Sequence, residues 1–522
     1  MTLAWGPHWP FSRVGLDAPP AGLLNTGFDL ADLLLVGILV GWSGALLTGR
    51  DRVMLQPRWV SGSLLAVTLA AGLAVFSAPD RTAAAHFAVR SAGLTALYLY
   101  LYRGIATCRL NPVTLTRWIA PGLSLNGLLA GAQAIHQNPL GLRWLDEPTM
   151  LRSTPGTAVV LVQGMRVLRP YGVLPHPNVL GGLLAAALPL VIGLLAESNP
   201  SGGTRRASPK RLSAATRGIL VPLSIALIGT GLLLSLSRSA WLGLLAGGIY
   251  LVIRRDAGRR IIWRTLLAGI AISLILAVLL PDEWEAVSVR LQPTSNRLEQ
   301  TSIAERLSLL ELSFKVIAWR PLTGVGGNNF AIAAARFLPL STGAKASPLP
   351  VHNTYLLAQA ELGPLGAIPW LILMLIPLLD LVRGQWMRRP TDRAPPNAAR
   401  LGPMPLPRQP NPSAAAVRSR YGSAGLPEMA WRPGTHQAQA SSRPRAGVPP
   451  GAAAFPRWQA LAGCSLVVVA VAGMFDFYIW VNEPVAVLWI VALALFTGAE
   501  EIRARQAKKV HCNAYRIGLR DL

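Results

Sequence analysis

Eleven stretches of nearly uninterrupted apolar sequence constrain what this chain can fold into. They lie near residues 30–48, 60–77, 82–102, 118–136, 178–196, 218–236, 240–253, 261–280, 357–382, 459–476 and 484–498. Crossing the hydrocarbon core of a bilayer takes about 20 apolar residues as a helix. Only helices and closed barrels satisfy every backbone polar group in lipid. The expected fold class is therefore all-α, a polytopic integral membrane protein of about 11–12 transmembrane helices. Composition agrees: 52% of the 522 residues are hydrophobic and 14% charged, and mean hydropathy is +0.41. That excludes a soluble enzyme of this size.

The net charge of +25 would suggest nucleic acid in a soluble chain. Here it follows topology instead. One set of alternate loops (49–59, 103–117, 197–217, 254–264, 383–457 and 499–522) holds 34 Lys and Arg, and the opposite set holds 14. Basic loops are retained in the cytoplasm, so the first set is assigned there, and loops 137–177 and 281–356 face outward. No nucleic-acid partner is expected. Cys108, Cys464 and Cys512 have no paired spacing and no ligand cluster, so neither a disulfide nor a zinc site is expected.

The chain divides into an N-terminal lead-in (1–29), a helical core (30–382) that includes the outer loop 281–356, a cytoplasmic insert (383–457), the last spans (458–498) and a basic cytoplasmic tail (499–522). The insert carries 14 prolines and little apolar periodicity, a composition expected to stay disordered. The outer loop has the opposite character. Ser302 and Glu305 form a capping-box pattern, and Leu307, Leu310, Phe314 and Ile317 repeat at helical spacing until Pro321. That loop should fold over the membrane.

Several ionisable residues stand where lipid makes them costly. The run 218–253 is 36 residues, about 54 Å as one helix, and must turn at Ser237-Arg238-Ser239. Arg238 then sits just below the outer surface, where it needs an anion or, on a blander reading, snorkels to the interface. His86 and Arg90 are four residues apart on one face of the third span, as a functional or a structural pair. Arg306 lies at the edge of the apolar face of the outer helix. His352 opens HNTYLLAQAELG, where a helix starts. The dipole there favours an anion and keeps an imidazole neutral, as a general base requires. The bland alternative is a cap. His176-Pro177-Asn178 is similar at the fifth span, with flanking prolines that favour a structural turn.

Arg90, Arg238, Arg306 and His352 thus converge on the outer mouth. Arginine forks match phosphate oxygens, so a lipid-linked phosphate suits the cluster. Gly324-Val-Gly-Gly-Asn-Asn329 lacks the Lys-Ser/Thr of a phosphate loop, and Asp282, Glu283 and Glu285 lack matching ligands. No metal, nucleotide or other cofactor is expected.

At these residues the sequence resembles the O-antigen ligase and Wzy-type polymerase superfamily of bacterial envelope glycosyltransferases. Five segments carry the resemblance: GVLPHPNVLGGLLA at 172–185, LSLSRSAWLGLLAG at 234–247, ERLSLLELSFKVIAWRPLTGVGGNNF at 305–330, VHNTYLLAQAELGPLG at 351–366 and GMFDFYIWVNEP at 473–484. It implies a GT-C-like helical glycosyltransferase of the inner (plasma) membrane, with a large folded periplasmic or extracellular loop and the active site on the outer face. Such an enzyme takes a glycan from undecaprenyl pyrophosphate and joins it to an acceptor hydroxyl without a metal or sugar nucleotide. On matching positions, Arg238 and Arg306 would hold the pyrophosphate and His352 would activate the acceptor. Arg90, His176, Asn178, Asn353 and Tyr355 stand beside them as candidates for binding the pyrophosphate or the acceptor. The implied partners are a lipid-linked oligosaccharide donor, a glycan, lipid or protein acceptor, and membrane lipid. Members commonly have both termini cytoplasmic, whereas eleven runs put this N-terminus outside. The proline-rich insert is not part of the family pattern, and Arg90 rests on depth in the membrane. The alternative is a membrane transporter of inorganic carbon or lipid-linked glycan. Ionisable residues gathered at one mouth, rather than at the midplane of paired spans, favour the transferase.

Overall fold

Ten of the eleven apolar runs form helices, and α3 and α4 start at capping side chains. The computed structural model describes residues 9–12, 26–28, 30–145, 147–154, 156–196, 214–254, 278, 281–291, 297–338, 349–386 and 455–518. In chain order the first elements are a short ribbon of β1 (Trp9–Ser12) and β2 (Thr26–Phe28), then α1 (Leu30–Leu47), α2 (Arg58–Ala74), α3 (Arg81–Ala106) and α4 (Pro112–His136). A hairpin of β3 (Val159–Val162) and β4 (Met165–Leu168) precedes α5 (Pro177–Ala196), α6 (Ala214–Leu234) and α7 (Arg238–Arg254). Next come α8 (Pro281–Leu291), α9 (Arg297–Trp319), α10 (Phe330–Ala335), α11 (Thr354–Trp386), α12 (Phe455–Ala472), α13 (Tyr478–Val481) and α14 (Glu483–Gly518). The eighth apolar run, apart from Val278, and almost all of the proline-rich insert lie outside the described residues.

The first-turn N–H groups of a helix have no partner inside it, so an accepting side chain just before the turn is favoured. Asp80 accepts from Thr82 and Ala83 at 2.9 and 3.0 Å and starts α3. Asn111 accepts from Val113 and starts α4, with a proline as its first residue. Left-handed Gln137 ends α4.

Among the described residues, four helices are long and apolar enough to cross a membrane: Arg58–Ser77, Pro177–Leu195, Thr354–Val382 and Glu483–Arg505. Described parts of α1, α6 and α12 are apolar but shorter. α5 is the centre, packed by α4, α6, α7, α12 and α14. Its apolar stretch is 94% buried, against 33% for α11. A helix apolar all round is either surrounded by protein, as α5 is, or leaves apolar surface uncovered by the described residues, as α11 does.

The fold is mostly helical as expected and carries two short β-ribbons; in the β3–β4 hairpin Val159 pairs with Leu168 and Val162 with Met165. Gln163 and Gly164 both take positive φ (50° and 83°) between two short apolar runs, the geometry of a two-residue hairpin turn. The Ser302–Glu305 capping box does not start the outer helix, since α9 already begins at Arg297. The buried face of α9 carries Leu309, Leu312, Ser313 and Val316, while Leu307 and Phe314 are 61% and 56% exposed. Periodicity marks apolar residues, but beside a bilayer both protein and lipid accept them, so it does not say which face meets protein.

Candidate functional site

The site is built around the reversal between α6 and α7. Leu236 takes a left-handed conformation (φ 51°) so that the chain turns within Ser235–Ser237. The last carbonyls of α6 lack helical partners, and arginines from two other elements take them. Arg169 donates to the Ser235 carbonyl from Nε at 3.0 Å and Nη2 at 2.8 Å. Arg290, near the end of α8, donates from Nε to the Leu236 carbonyl at 3.2 Å. The negative end of the α6 dipole favours both cations. Arg238 is the first residue of α7 on the other side of the same turn.

Arg169 reaches the turn because the loop after β4 is pinned to α4. Gln133, fully buried, accepts from the N–H of Tyr171 and Gly172 at 2.9 and 2.8 Å. Asn126 accepts from Val173 at 3.2 Å. The hairpin itself packs Val160, Val162 and Val167 on Leu236 and on Ala286 of α8. Arg169 Nη2 also donates to Asn178 Oδ1 at 2.6 Å, and Asn178 Nδ2 donates to Asp476 Oδ2 at 2.8 Å. Asn178 therefore bridges a buried arginine and a buried carboxylate. Gly181 and Gly182 let α5 come this close: a Cβ on the first would meet Ser235 Oγ at 2.6 Å, and on the second the Tyr478 ring at 2.4 Å.

His352 stands one residue before the cap of α11. The cap is Asn353, whose Oδ1 accepts from Tyr355 and Leu356, each at 3.0 Å, so the expected bland role of His352 passes to its neighbour. His176 does cap α5, accepting from the Asn178 N–H at 3.1 Å. The segment after His352 is locked to the turn following α12. Asn353 Nδ2 donates to Met474, the Thr354 N–H and hydroxyl donate to the carbonyls of Gly473 and Asp476, and the Tyr355 hydroxyl donates to Ala470. This places His352 Nδ1 3.4 Å from Asp476 Oδ1 and the imidazole edge-on to Phe477 at 5.0 Å. Asn353 and Tyr355, expected to touch substrate, use these polar groups in holding that geometry.

Electrostatics tie the parts together. Burial pushes the Asp476 carboxyl up, but His352, then Arg306 and His176, outweigh it and leave it below its ordinary range, so it is charged. Burial, then Arg169, push the His176 imidazole down and keep it neutral. Burial holds Arg290 below the ordinary guanidinium range, and Arg169, Arg238 and Arg306 add to that by repulsion. Arg169 is lowered by burial too, with Arg306 and Arg238 opposing its charge and Asp476 easing it. Arg238 and Arg306 thus add their charge to that of the buried Arg169 and Arg290, with the buried Asp476 carboxylate beside them.

The structure brings together Arg238, Arg306, His352, His176 and Asn178, and adds Arg169, Arg290 and Asp476, which sequence reasoning did not single out. Asp476 sits in the quoted GMFDFYIWVNEP segment, a signal within reach. Arg169 follows a strand and Arg290 ends an ordinary amphipathic helix, where nothing local distinguishes them. Arg90 lies elsewhere, 2.9 Å from Glu483 in a separate cleft. The glycine-rich stretch 324–329 is a clamp. Asn329 exchanges hydrogen bonds with the backbone of Asp80, and Glu361 accepts from the Phe330 N–H.

Apolar helices long enough to cross a membrane surround a cationic cluster beside an imidazole–carboxylate contact, the marks of a helical membrane protein. Residues 223–371 match the O-antigen ligase family model, Wzy_C. The match covers the middle of the chain, under a third of its length, and is a likeness to O-antigen ligases over that stretch. It takes in Arg238, Arg290, Arg306 and His352, while Arg169, His176, Asn178 and Asp476 lie outside it. No curated protein matches the chain closely enough to stand as a relative.

Proposed function

We propose that this protein transfers a glycan from undecaprenyl pyrophosphate to an acceptor hydroxyl at the outer face of the inner membrane. The observation that carries the reading is the arrangement of Arg169, Arg290 and Arg238 about one helix reversal, with Asp476 linked to Arg169 through Asn178 and facing His352, and with Arg306 near enough to act on these charges. The acceptor oxygen attacks the anomeric carbon as the bond from that carbon to the pyrophosphate oxygen breaks. The pyrophosphate leaves with the electron pair, and the acceptor proton passes to His352. Because Nδ1 faces Asp476, Nε2 is the proton acceptor, and the carboxylate stabilises the imidazolium that forms. Negative charge grows on the leaving pyrophosphate, so the arginines stabilise the transition state more than the ground state. In this reading Arg238 and Arg306 contact the pyrophosphate. Arg169 and Arg290, tied to backbone carbonyls, hold the reversal that presents Arg238.

The O-antigen ligase match lends no support to the transporter reading. The test is transfer by the purified protein from an undecaprenyl-pyrophosphate oligosaccharide to a panel of acceptors with EDTA present. Wild type should yield product, and Arg306→Ala and His352→Ala should lose it. Product at wild-type rate from both variants would overturn the assignment.

A further inference from the structure

Arg90 stands apart from the arginine cluster, and the cleft around it has the features of a second binding site. Arg90 Nη2 lies 2.9 Å from Glu483 Oε2, with the carboxylate side chain only 6% exposed. The cleft lies among α2, α3, α11 and α14. Trp370 meets Trp480 edge-on at 4.9 Å and Trp489 at 5.1 Å, and Phe87 packs on Trp480, so one wall is aromatic. Trp370 and Trp489 are 6% and 3% exposed, and the Nε1–H of each is buried without a hydrogen-bond partner among the described residues. Asn482 Oδ1, on the same cleft, is in the same position. Buried polar groups of this kind are rare without a ligand or ordered water to meet them. The lining also includes the apolar Leu94, Leu373 and Ile490.

We propose that this cleft binds a sugar ring. A hydroxyl both donates and accepts, so one ring hydroxyl can accept from Arg90 while donating to Glu483. Others answer the two indole N–H groups and the Asn482 carbonyl, and the aromatic wall packs on the C–H face of the ring. A phosphate is disfavoured because Glu483 stands beside Arg90, and a bare hydrocarbon leaves the indole donors unmatched. The sugar comes either from a glycolipid, whose tail follows the apolar lining, or from a soluble glycan. The glycan-transfer reading is needed only for the role of the site, which is to hold a sugar during transfer. Binding itself is measured without transfer.

The test is native mass spectrometry of the full-length protein in a sugar-free amine-oxide detergent, titrated with n-dodecyl-β-maltoside, with maltose and with dodecyl phosphocholine. The maltoside should be retained at one site. Loss of a charge-assisted hydrogen bond in Arg90→Leu should weaken retention about tenfold or more, and Trp489→Phe, which keeps a ring but removes the N–H, about threefold to tenfold. Competition by maltose assigns recognition to the sugar alone, and binding of the maltoside only assigns it to a glycolipid. Arg306→Ala should bind as wild type does while losing transfer, which separates failure of this inference from failure of the transfer reading. Equal retention by wild type, Arg90→Leu and Trp489→Phe, or equal displacement by dodecyl phosphocholine, would overturn the proposal.

Discussion

Replacing Asp476 by Asn keeps the shape of the side chain and removes its charge, which isolates what the carboxylate does. In the folded protein its Oδ2 accepts from Asn178 at 2.8 Å, while Oδ1 accepts from the Phe477 N–H at 3.0 Å and faces His352 at 3.4 Å. An amide cannot accept on both sides. Asn178 is already oriented by Arg169 on its own oxygen, so its Nδ2 needs an oxygen from residue 476, and the new NH2 then points at the Phe477 N–H and His352. One buried hydrogen bond is lost, at about 1–3 kcal/mol of stability. The larger effect is on rate: a base whose cationic form loses its carboxylate forfeits much of a general-base contribution of roughly 10²–10⁴, or about 3–5 kcal/mol of barrier. The assay is initial transfer rate against acceptor concentration, with thermal unfolding alongside. kcat should fall by about two orders of magnitude or more with KM little changed. His352→Ala combined with Asp476→Asn should cost hardly more than His352→Ala alone, because the carboxylate acts through the imidazole. A kcat within about threefold of wild type, or additive losses in the double variant, would refute the assignment.

Three further outcomes follow from the geometry. His176 is neutral in the fold but takes a proton near pH 6.5 when unfolded, so stability should drop as pH falls below that value, by up to about 1.4 kcal/mol per unit. His176→Asn, which keeps a capping group, should flatten the unfolding profile. Gln133→Leu leaves the N–H groups of Tyr171 and Gly172 without their acceptor, at about 1–3 kcal/mol each. It should lower the melting temperature and weaken transfer together, since the same loop carries Arg169. Gly363→Ala puts a Cβ 2.2 Å from the Leu322 carbonyl at φ 63°. Left-handed strain of about 1–2 kcal/mol adds to the clash, and fluorescence-detected size-exclusion should show less folded protein than wild type.

The helices and several of their ends were determined locally. An apolar run of sufficient length has no alternative to helix in lipid. Asp80, Asn111 and Pro177 act within one turn of where they stand, so their effect is written in adjacent residues. The reversal was legible to within two residues, expected at Ser237-Arg238-Ser239 and found at Ser235–Ser237, and so was the helix start after His352. What surrounds them was not. Asp476 meets His352, Arg169 meets the end of α6, and Glu483 meets Arg90 only because α5, α12 and α14 pack as they do. A guanidinium or carboxylate gives no sign in the chain of which distant partner it will face. The same limit hid the buried side of α9, where Leu309 and Val316 face protein and Leu307 and Phe314 do not. Hydrophobic periodicity measures preference for apolar surroundings, and at a membrane both the protein interior and the lipid supply them, so only tertiary packing chooses between them.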